Sequence, residues 1–277
     1  MHNLDKKTVN SFSNEWNKFQ QDKLSDDELL ILVKNYFYLF PLDNLKKNYE
    51  VFDMGCGTGR WAKFVAPKVN KLNCIDPSLS IKVAKKNLKN FNNINFINES
   101  IDNVKLKKNS QDFGYSLGVL HHIPNTKKAL IDCVNLLKPG APLLIYIYYA
   151  FDNKPFWFKL LWKFSDILRK FIILLPSSLK NLITDFIAVI IYFPLAKISL
   201  ILEKFNKKII KNFPLSYYRH SSFYTMRTDA RDRFGTPLEK RFTKKQIKKM
   251  MTEAGLIDIK FSETEPFWCS LGYKNSK

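Results

Sequence analysis

From Tyr49 to Tyr149 the chain repeats one pattern, a short apolar run followed by a stretch with apolar positions at helical spacing. YEVFDM, KLNCID, INFIN, DFGYSLGVL and APLLIYIYY read as strands. TGRWAKFVA, SLSIKVAKKNLKN and TKKALIDCVNLLKPG read as helices between them, the last stopped by Pro139 and Gly140. Alternation of this kind means right-handed βαβ units and a parallel sheet.

The flanks differ. Residues 12–40 place Leu29, Leu30, Val33, Phe37 and Phe40 at helical spacing up to Pro41, which predicts one or two helices before the core. After Tyr149 come two apolar, basic stretches, KPFWFKLLWKFSDILRKFIILLP and NLITDFIAVIIYFPLAKISLILEKF, expected as helices interrupted by Pro176 and Pro194. The uncharged run between Asp185 and Lys197 falls short of the roughly 20 apolar residues of a spanning helix, so no crossing of a bilayer is expected. The alternation then resumes. TKKQIKKMMTEAG is a helix with Thr243 and Gln246 at capping-box spacing and Gly255 as its stop, and LIDIKFSE and WCSLGYK lie close enough to pair as a hairpin. The domain reading is a helical cap over 1–48, an α/β core over 49–150 and 237–277, and a helical insertion over 151–236.

A length of 277 residues suits one such domain with an insertion. Cys56, Cys74, Cys133 and Cys269 are scattered without a CxxC pair, so neither a disulfide framework nor a zinc site is suggested, and no metal is expected. MHNLDKKTVNSFSNEW lacks the apolar run of a secretory signal, and a reduced, cytoplasmic protein is the expectation. The net charge of +20 changes the picture more: it points to nucleic acid, an anionic membrane surface or an acidic substrate, unless it is a lysine-rich solvated surface.

Ligands of an open parallel sheet sit at the carboxyl ends of strands where the strand order reverses. VFDMGCGTGR puts Gly55, Gly57 and Gly59 in the turn after the first strand, where a ligand can approach the backbone. The spacing is GxGxG, not the GxGxxG of a pyrophosphate site, and Asp53 stands two residues ahead of it. A phosphate would be repelled there, whereas an ammonium or sulfonium would be held. Asp76 closes the second strand 23 residues on, placed to accept ribose hydroxyls. One carboxylate for an amino acid moiety and one for a ribose describe S-adenosylmethionine.

With CIDPS, DFGYSLGVLHHIPN and LLKPGAPLLIY, this motif resembles the successive motifs of class I S-adenosylmethionine-dependent methyltransferases. The nearest branch is the small-molecule one that includes the ubiquinone and menaquinone methyltransferases. The resemblance covers about residues 49–150, and TKKQIKKMMTEAGLIDIKF fits the branch's last helix and strand. It implies a doubly wound, mostly parallel, seven-stranded Rossmann-like sheet with an antiparallel last strand. It further implies that Gly55, Gly57 and Gly59 cradle the cofactor, that Asp53 serves its methionine end and Asp76 with Pro77 its ribose, and that Leu117 is a further cofactor contact. The family's usual acid for the adenine amino group is missing. NESIDNV puts Ser100 there, beside Glu99, so Ser100 and the backbone of Ile101 are the expected contacts.

In-line attack on a sulfonium methyl needs the acceptor held at near-attack distance, and a base only where a proton must leave. His122 first and His121 second, at the end of the fourth strand, are the candidates to orient or deprotonate the acceptor, against a structural role in the turn. Tyr149 is the candidate cavity residue, with Tyr146 and Tyr148 sharing a sheet face. The cluster YYRHSSFYTMRTDARDRFGTPLEKRF offers Arg227, Asp229, Arg231, Asp232, Arg233 and Arg241 to a polar or anionic acceptor, or else is a self-paired solvated loop. Trp16 is a candidate lid residue.

Residues 156–213 hold ten basic residues against three acidic ones, with Trp157 and Trp162 among many Phe, Leu and Ile. Such a composition suits helices in a membrane interface, and equally an amphipathic lid or a dimer contact. The expectation is a methyltransferase for a small-molecule acceptor, with a lipid, quinone or lipid-linked saccharide among the candidates. It is placed in the cytoplasm with peripheral contact at the inner face of the membrane, and homo-oligomerisation is left open. Nucleic acid is disfavoured, because SLGVLHH stands where enzymes methylating base amino groups carry an Asn/Asp-Pro-Pro-aromatic tetrad. A nicotinamide dehydrogenase is disfavoured by the glycine spacing and Asp53. An RNA methyltransferase and a non-catalytic protein that keeps the cofactor fold remain the alternatives.

Overall fold

The computed structural model describes residues 3–21, 23–205 and 207–276. Helices α1 (Lys6–Lys18) and α2 (Asp26–Tyr36) precede an alternating run of β1 (Glu50–Met54), α3 (Ala62–Val65), β2 (Lys71–Ile75), α4 (Ser80–Asn87), β3 (Ile94–Ile97), β4 (Phe113–Leu117), α5 (Thr126–Leu136) and β5 (Pro142–Tyr146). Helices α6 (Phe156–Ile172), α7 (Ser177–Ile187), α8 (Phe193–Phe205), α9 (Lys207–Ile210) and α10 (Phe223–Gly235) follow, and α11 (Lys244–Glu253), β6 (Leu256–Phe261) and β7 (Cys269–Lys274) end the chain. Two compact units result. One comprises Met1–Asp22, Leu29–Ala150 and Leu238–Lys277, the other Lys23–Glu28 and Phe151–Pro237.

In the first unit the sheet order is β3-β2-β1-β4-β5-β7-β6. The strands from β3 to β5 run parallel, and β7 is antiparallel to both β5 and β6. This is the doubly wound, Rossmann-like sheet expected from the sequence. Its order reverses between β1 and β4, so a ligand belongs at their carboxyl ends. Strand alternation sends Val51 into one core layer, with α2, α3 and α4, and Phe52 and Met54 into the other, with α5 and α11. Truncating Phe52, fully buried, would cost about 3–5 kcal/mol.

Residues 29–45 pack into the sheet's own core through Leu32, Val33, Phe37, Phe40 and Leu45. Helix α1 behaves differently, because its buried residues are Thr8, Ser11 and Glu15. Polar bonds hold it across the loops at the strand ends. Asn3 N–H donates to Asp102, Asn3 exchanges two bonds with the backbone of Asn125, Leu238 N–H donates to Thr8 and Leu79 N–H to Ser13.

In the second unit the interruption expected at Pro194 is absent. A single helix runs for 29 residues, Ser177–Phe205, long and apolar enough by length and composition to cross a membrane. Its residues Ala188–Tyr192 form a π turn. That turn shifts the hydrogen-bond ladder just before Pro194, where the missing N–H and the proline ring would otherwise break it. The polar cluster before the last helix is no solvated loop either. It folds as a short 3-10 turn, Ser216–His220, and as α10, capped by Ser222, which accepts from Thr225 N–H. The arginines of α10 bind neighbouring helices: Arg227 makes two bonds to Asp185, at 3.0 and 2.8 Å, Arg231 donates to Asn181, and Arg233 reaches Ser165 and Asp166.

Candidate functional site

At the end of β1 the backbone turns sharply through Gly55, Gly57 and Gly59, all at positive φ. Only one of the three could take a Cβ without a clash. A Cβ on Gly55 would stand 2.4 Å from both methyls of Val119, and one on Gly59 would stand 2.5 Å from Leu88 Cδ1. At Gly57 the nearest atom is Trp16 Nε1, 3.7 Å away. Gly55 and Gly59 therefore let the turn pack, and Gly57 is the residue a ligand would meet. Trp16, expected as a lid residue, stands beside Gly57. Gly57→Ala is accordingly expected to fold, with about 1–2 kcal/mol lost to the left-handed backbone, and to weaken cofactor binding. Gly55→Ala is expected to lower the melting temperature more, through overpacking against Val119. Thermal melts beside a cofactor titration separate the two effects.

Two buried carboxylates face this turn. Asp53, on the last turn-facing position of β1, accepts the Tyr115 hydroxyl at 2.9 Å. Burial pushes its carboxyl up to about 8, the Tyr115 bond counteracts this, the charge of Asp76 adds to it and Arg60 offsets it least. Asp76, directly after β2, accepts Gly57 N–H at 2.9 Å with one oxygen, and Ser78 N–H and Oγ–H at 2.8 and 2.6 Å with the other. Burial raises its pKa as well, against the pull of these bonds. Asn98 locks the same corner by donating to the carbonyls of Asp76 and Ser78. Neither carboxylate has an ion-pair partner among the described residues, so a cationic ligand would complete the site.

After β3, Ser100 precedes a 3-10 turn whose first residue is the buried Ile101. The Ser100 hydroxyl donates to Asp102 at 2.7 Å. Sequence reading found no acid at the adenine position, yet Asp102 stands two residues on, fixed by Ser100 and by Asn3 N–H. Pro77 follows Asp76 in its turn, and Leu117 ends β4 beside β1.

The histidines occupy a 3-10 turn, Leu120–His122, after β4, and both are buried. They are not equivalent. His121 stacks on Tyr148 at 3.8 Å, and its Nδ1 accepts from Tyr148 N–H at 3.4 Å. Burial, then the neighbouring His122 and Arg241, push its pKa well below the usual range, so it is a neutral ring whose lone pair is used. His122 Nδ1 lies 2.6 Å from the Leu238 carbonyl. A carbonyl only accepts, so Nδ1 carries the proton and Nε2 of the neutral ring carries the lone pair. Phe12 sets its edge against this ring, with centroids 4.9 Å apart.

Arg241 donates to Glu239 at 2.8 Å and holds its guanidinium 5.0 Å from the Tyr148 ring. The tyrosine beside the histidines is thus Tyr148. Tyr149 alternates to the opposite face, pairs with Phe242 and packs on Phe267 and Trp268. Of the other candidates for the acceptor, Arg227, Asp229, Arg231, Asp232 and Arg233 lie on α10 in the second unit, where the three arginines are engaged as described above. Sequence reading missed Tyr115, Ser78, Asp102 and Glu239, and read Tyr148 only as a sheet residue; the Ser78 of CIDPS was the one visible signal.

Residues 52–145 match the family model of a methyltransferase domain. No curated protein is significantly similar in sequence. Among solved structures, a Bacillus halodurans protein assigned to the methyltransferases is 16% identical, with a TM-score of 0.47 over 85% of this chain and 72% of that one. Phosphoethanolamine N-methyltransferase 2 of Haemonchus contortus, in complex with phosphomonomethylethanolamine and S-adenosylhomocysteine, is 16% identical, with a TM-score of 0.48 over 93% of this chain and 44% of that one. N-methyltransferase NodS of Bradyrhizobium japonicum, with S-adenosylhomocysteine, is 19% identical, with a TM-score of 0.42 over 50% of this chain and 72% of that one. Residues 52–145 are thus similar to a methyltransferase domain, and they contain the glycine turn and both of its buried carboxylates.

Proposed function

We propose that the protein transfers the methyl group of S-adenosylmethionine to a small-molecule acceptor, with a lipid, quinone or lipid-linked saccharide as the acceptor class. The observation that carries this reading is the pair of buried carboxylates, Asp53 and Asp76, at the glycine turn, neither with an ion-pair partner among the described residues. Asp53 would hold the cationic amino end of the cofactor. Asp76 would take a ribose hydroxyl on the acceptor sites that Gly57 and Ser78 leave, and Asp102 or Ser100 the adenine edge. When bound, the cofactor supplies an electrophilic methyl group. The chain's own contribution is to orient the acceptor beside His122 and Tyr148, to keep water out with Phe12 and Trp16, and to take a proton at His122 Nε2 when the acceptor has one to lose.

The test is to incubate the purified protein with methyl-labelled S-adenosylmethionine and a cell extract, then count label in lipid, small polar and RNA fractions. Label is expected in the lipid or small polar fraction. Label confined to RNA would overturn the acceptor class, and failure to bind the cofactor in a titration would overturn the reading as a whole.

A further inference from the structure

We propose that the second unit docks on the surface of an anionic lipid bilayer, with α6 and the outer side of the Ser177–Phe205 helix lying in the interface. On α6 the apolar residues Trp157, Leu160, Phe164 and Phe171 recur at helical spacing and face outward, with Phe164 72% and Phe171 67% exposed. On the long helix Leu182, Phe186, Ile201 and Phe205 do the same, with Phe205 81% exposed. One aromatic side chain carries about 150–250 Å², so a few such residues exceed the few hundred Å² of contiguous apolar surface a soluble monomer ordinarily shows.

Charge selects the occupant. All three acids of residues 156–213 are paired inside the unit: Asp166 with Arg169, Asp185 with Arg227, and Glu203 with Arg219 and His220. Lys170 shares Asp166 at 3.4 Å and Lys180 is buried, while other lysines face outward. Lys163, Lys197 and Lys204 are exposed, and Lys159, Lys163 and Lys170, spaced by four and seven, line one edge of the apolar row of α6. Apolar rows edged by lysines whose stems can reach upward are the pattern of a helix in the interface plane. A second copy would bring lysines against lysines with the acids already engaged, whereas anionic headgroups accept them. Crossing is disfavoured by the inner side of the same helices. Asp185, two turns into the long helix, is tied to Arg227 of α10, and Arg169 is bonded to the carbonyls of Thr236 and Pro237, so a spanning helix would carry these charges into hydrocarbon.

This inference goes beyond the methyl-transfer reading and is read out without the cofactor. The full chain is mixed with vesicles of phosphatidylcholine, alone or with phosphatidylglycerol, and sedimented at low and high salt. Binding to the mixed vesicles only is expected, weakened by salt. The paired substitutions Phe164→Glu with Phe171→Glu, and Lys163→Glu with Lys197→Glu, are each expected to lower the partition at least about tenfold, with circular dichroism and cofactor affinity unchanged. Equal binding to neutral vesicles, no binding with a concentration-dependent dimer, or retention through an alkaline wash that only a spanning protein survives would each overturn it. Loss of cofactor binding in the unaltered protein would bear on the methyl-transfer reading alone.

Discussion

Replacing Asp53 with Asn is expected to stabilise the ligand-free protein at neutral pH and to weaken its affinity for S-adenosylmethionine by roughly a hundredfold. Asp53 is only 1% exposed, and burial pushes its carboxyl from an ordinary 3.8 up to about 8. Between those values the unfolded chain is ionised while the folded one is protonated. The raised carboxyl therefore contributes stability that is fully present below the unfolded value and lost as pH rises through about 8. At about 1.4 kcal/mol per unit of displacement, the free protein forgoes on the order of 4 kcal/mol at neutral pH. Asparagine can still accept the Tyr115 hydroxyl and does not titrate. Melting curves of the two proteins should thus lie close together in mild acid and separate progressively toward about pH 8. A gap that stays constant with pH would show that the carboxyl is not poised in this way. Cofactor affinity runs the other way, since a cationic amino group needs the ionised carboxylate. In the unaltered protein it should rise with pH up to about 8, and in Asp53→Asn that slope should vanish together with the affinity.

The residues that bear the cofactor cradle were visible in the sequence for a physical reason: each is a local rule broken for function. An acid where only apolar side chains belong, and a glycine at Gly57 that no close packing demands, have no packing motive, and the structure puts Gly57 and Asp76 at one corner. The strands were legible because their apolar runs feed both core layers. What was not legible depended on long-range partners. Helix α1 buries Thr8, Ser11 and Glu15 over the strand ends, so its inner side carries no apolar stripe to detect. Helix α10 escaped for a related reason. It packs between α6 and α7 with Met226, Ala230 and Phe234 in the core and its arginines bonded to either side, which leaves no single apolar face. Pro194 misled because a one-residue π adjustment, invisible to periodicity, lets the helix continue. That Tyr148 stacks on His121 was not legible, since it follows from where β5 ends, a boundary the run IYIYY does not mark.

His122→Gln is expected to slow methyl transfer about 100- to 10,000-fold for an acceptor that loses a proton, while cofactor affinity stays within a factor of about two. The Leu238 carbonyl, 2.6 Å from Nδ1, fixes the tautomer that leaves a lone pair on Nε2, and burial keeps bulk water from competing for it. Glutamine can keep a donor toward Leu238 but offers no basic nitrogen. His121 supplies the control, because its lone pair is bound to Tyr148 N–H and its ring is held neutral by burial. His121→Gln should cost folding stability on the order of 1–3 kcal/mol and leave the shape of the pH–rate profile intact. An unaltered rate in His122→Gln would mean that the acceptor is already a competent nucleophile. The site would then act by positioning alone, and the buried imidazole would serve only to pin the β4 turn to Leu238.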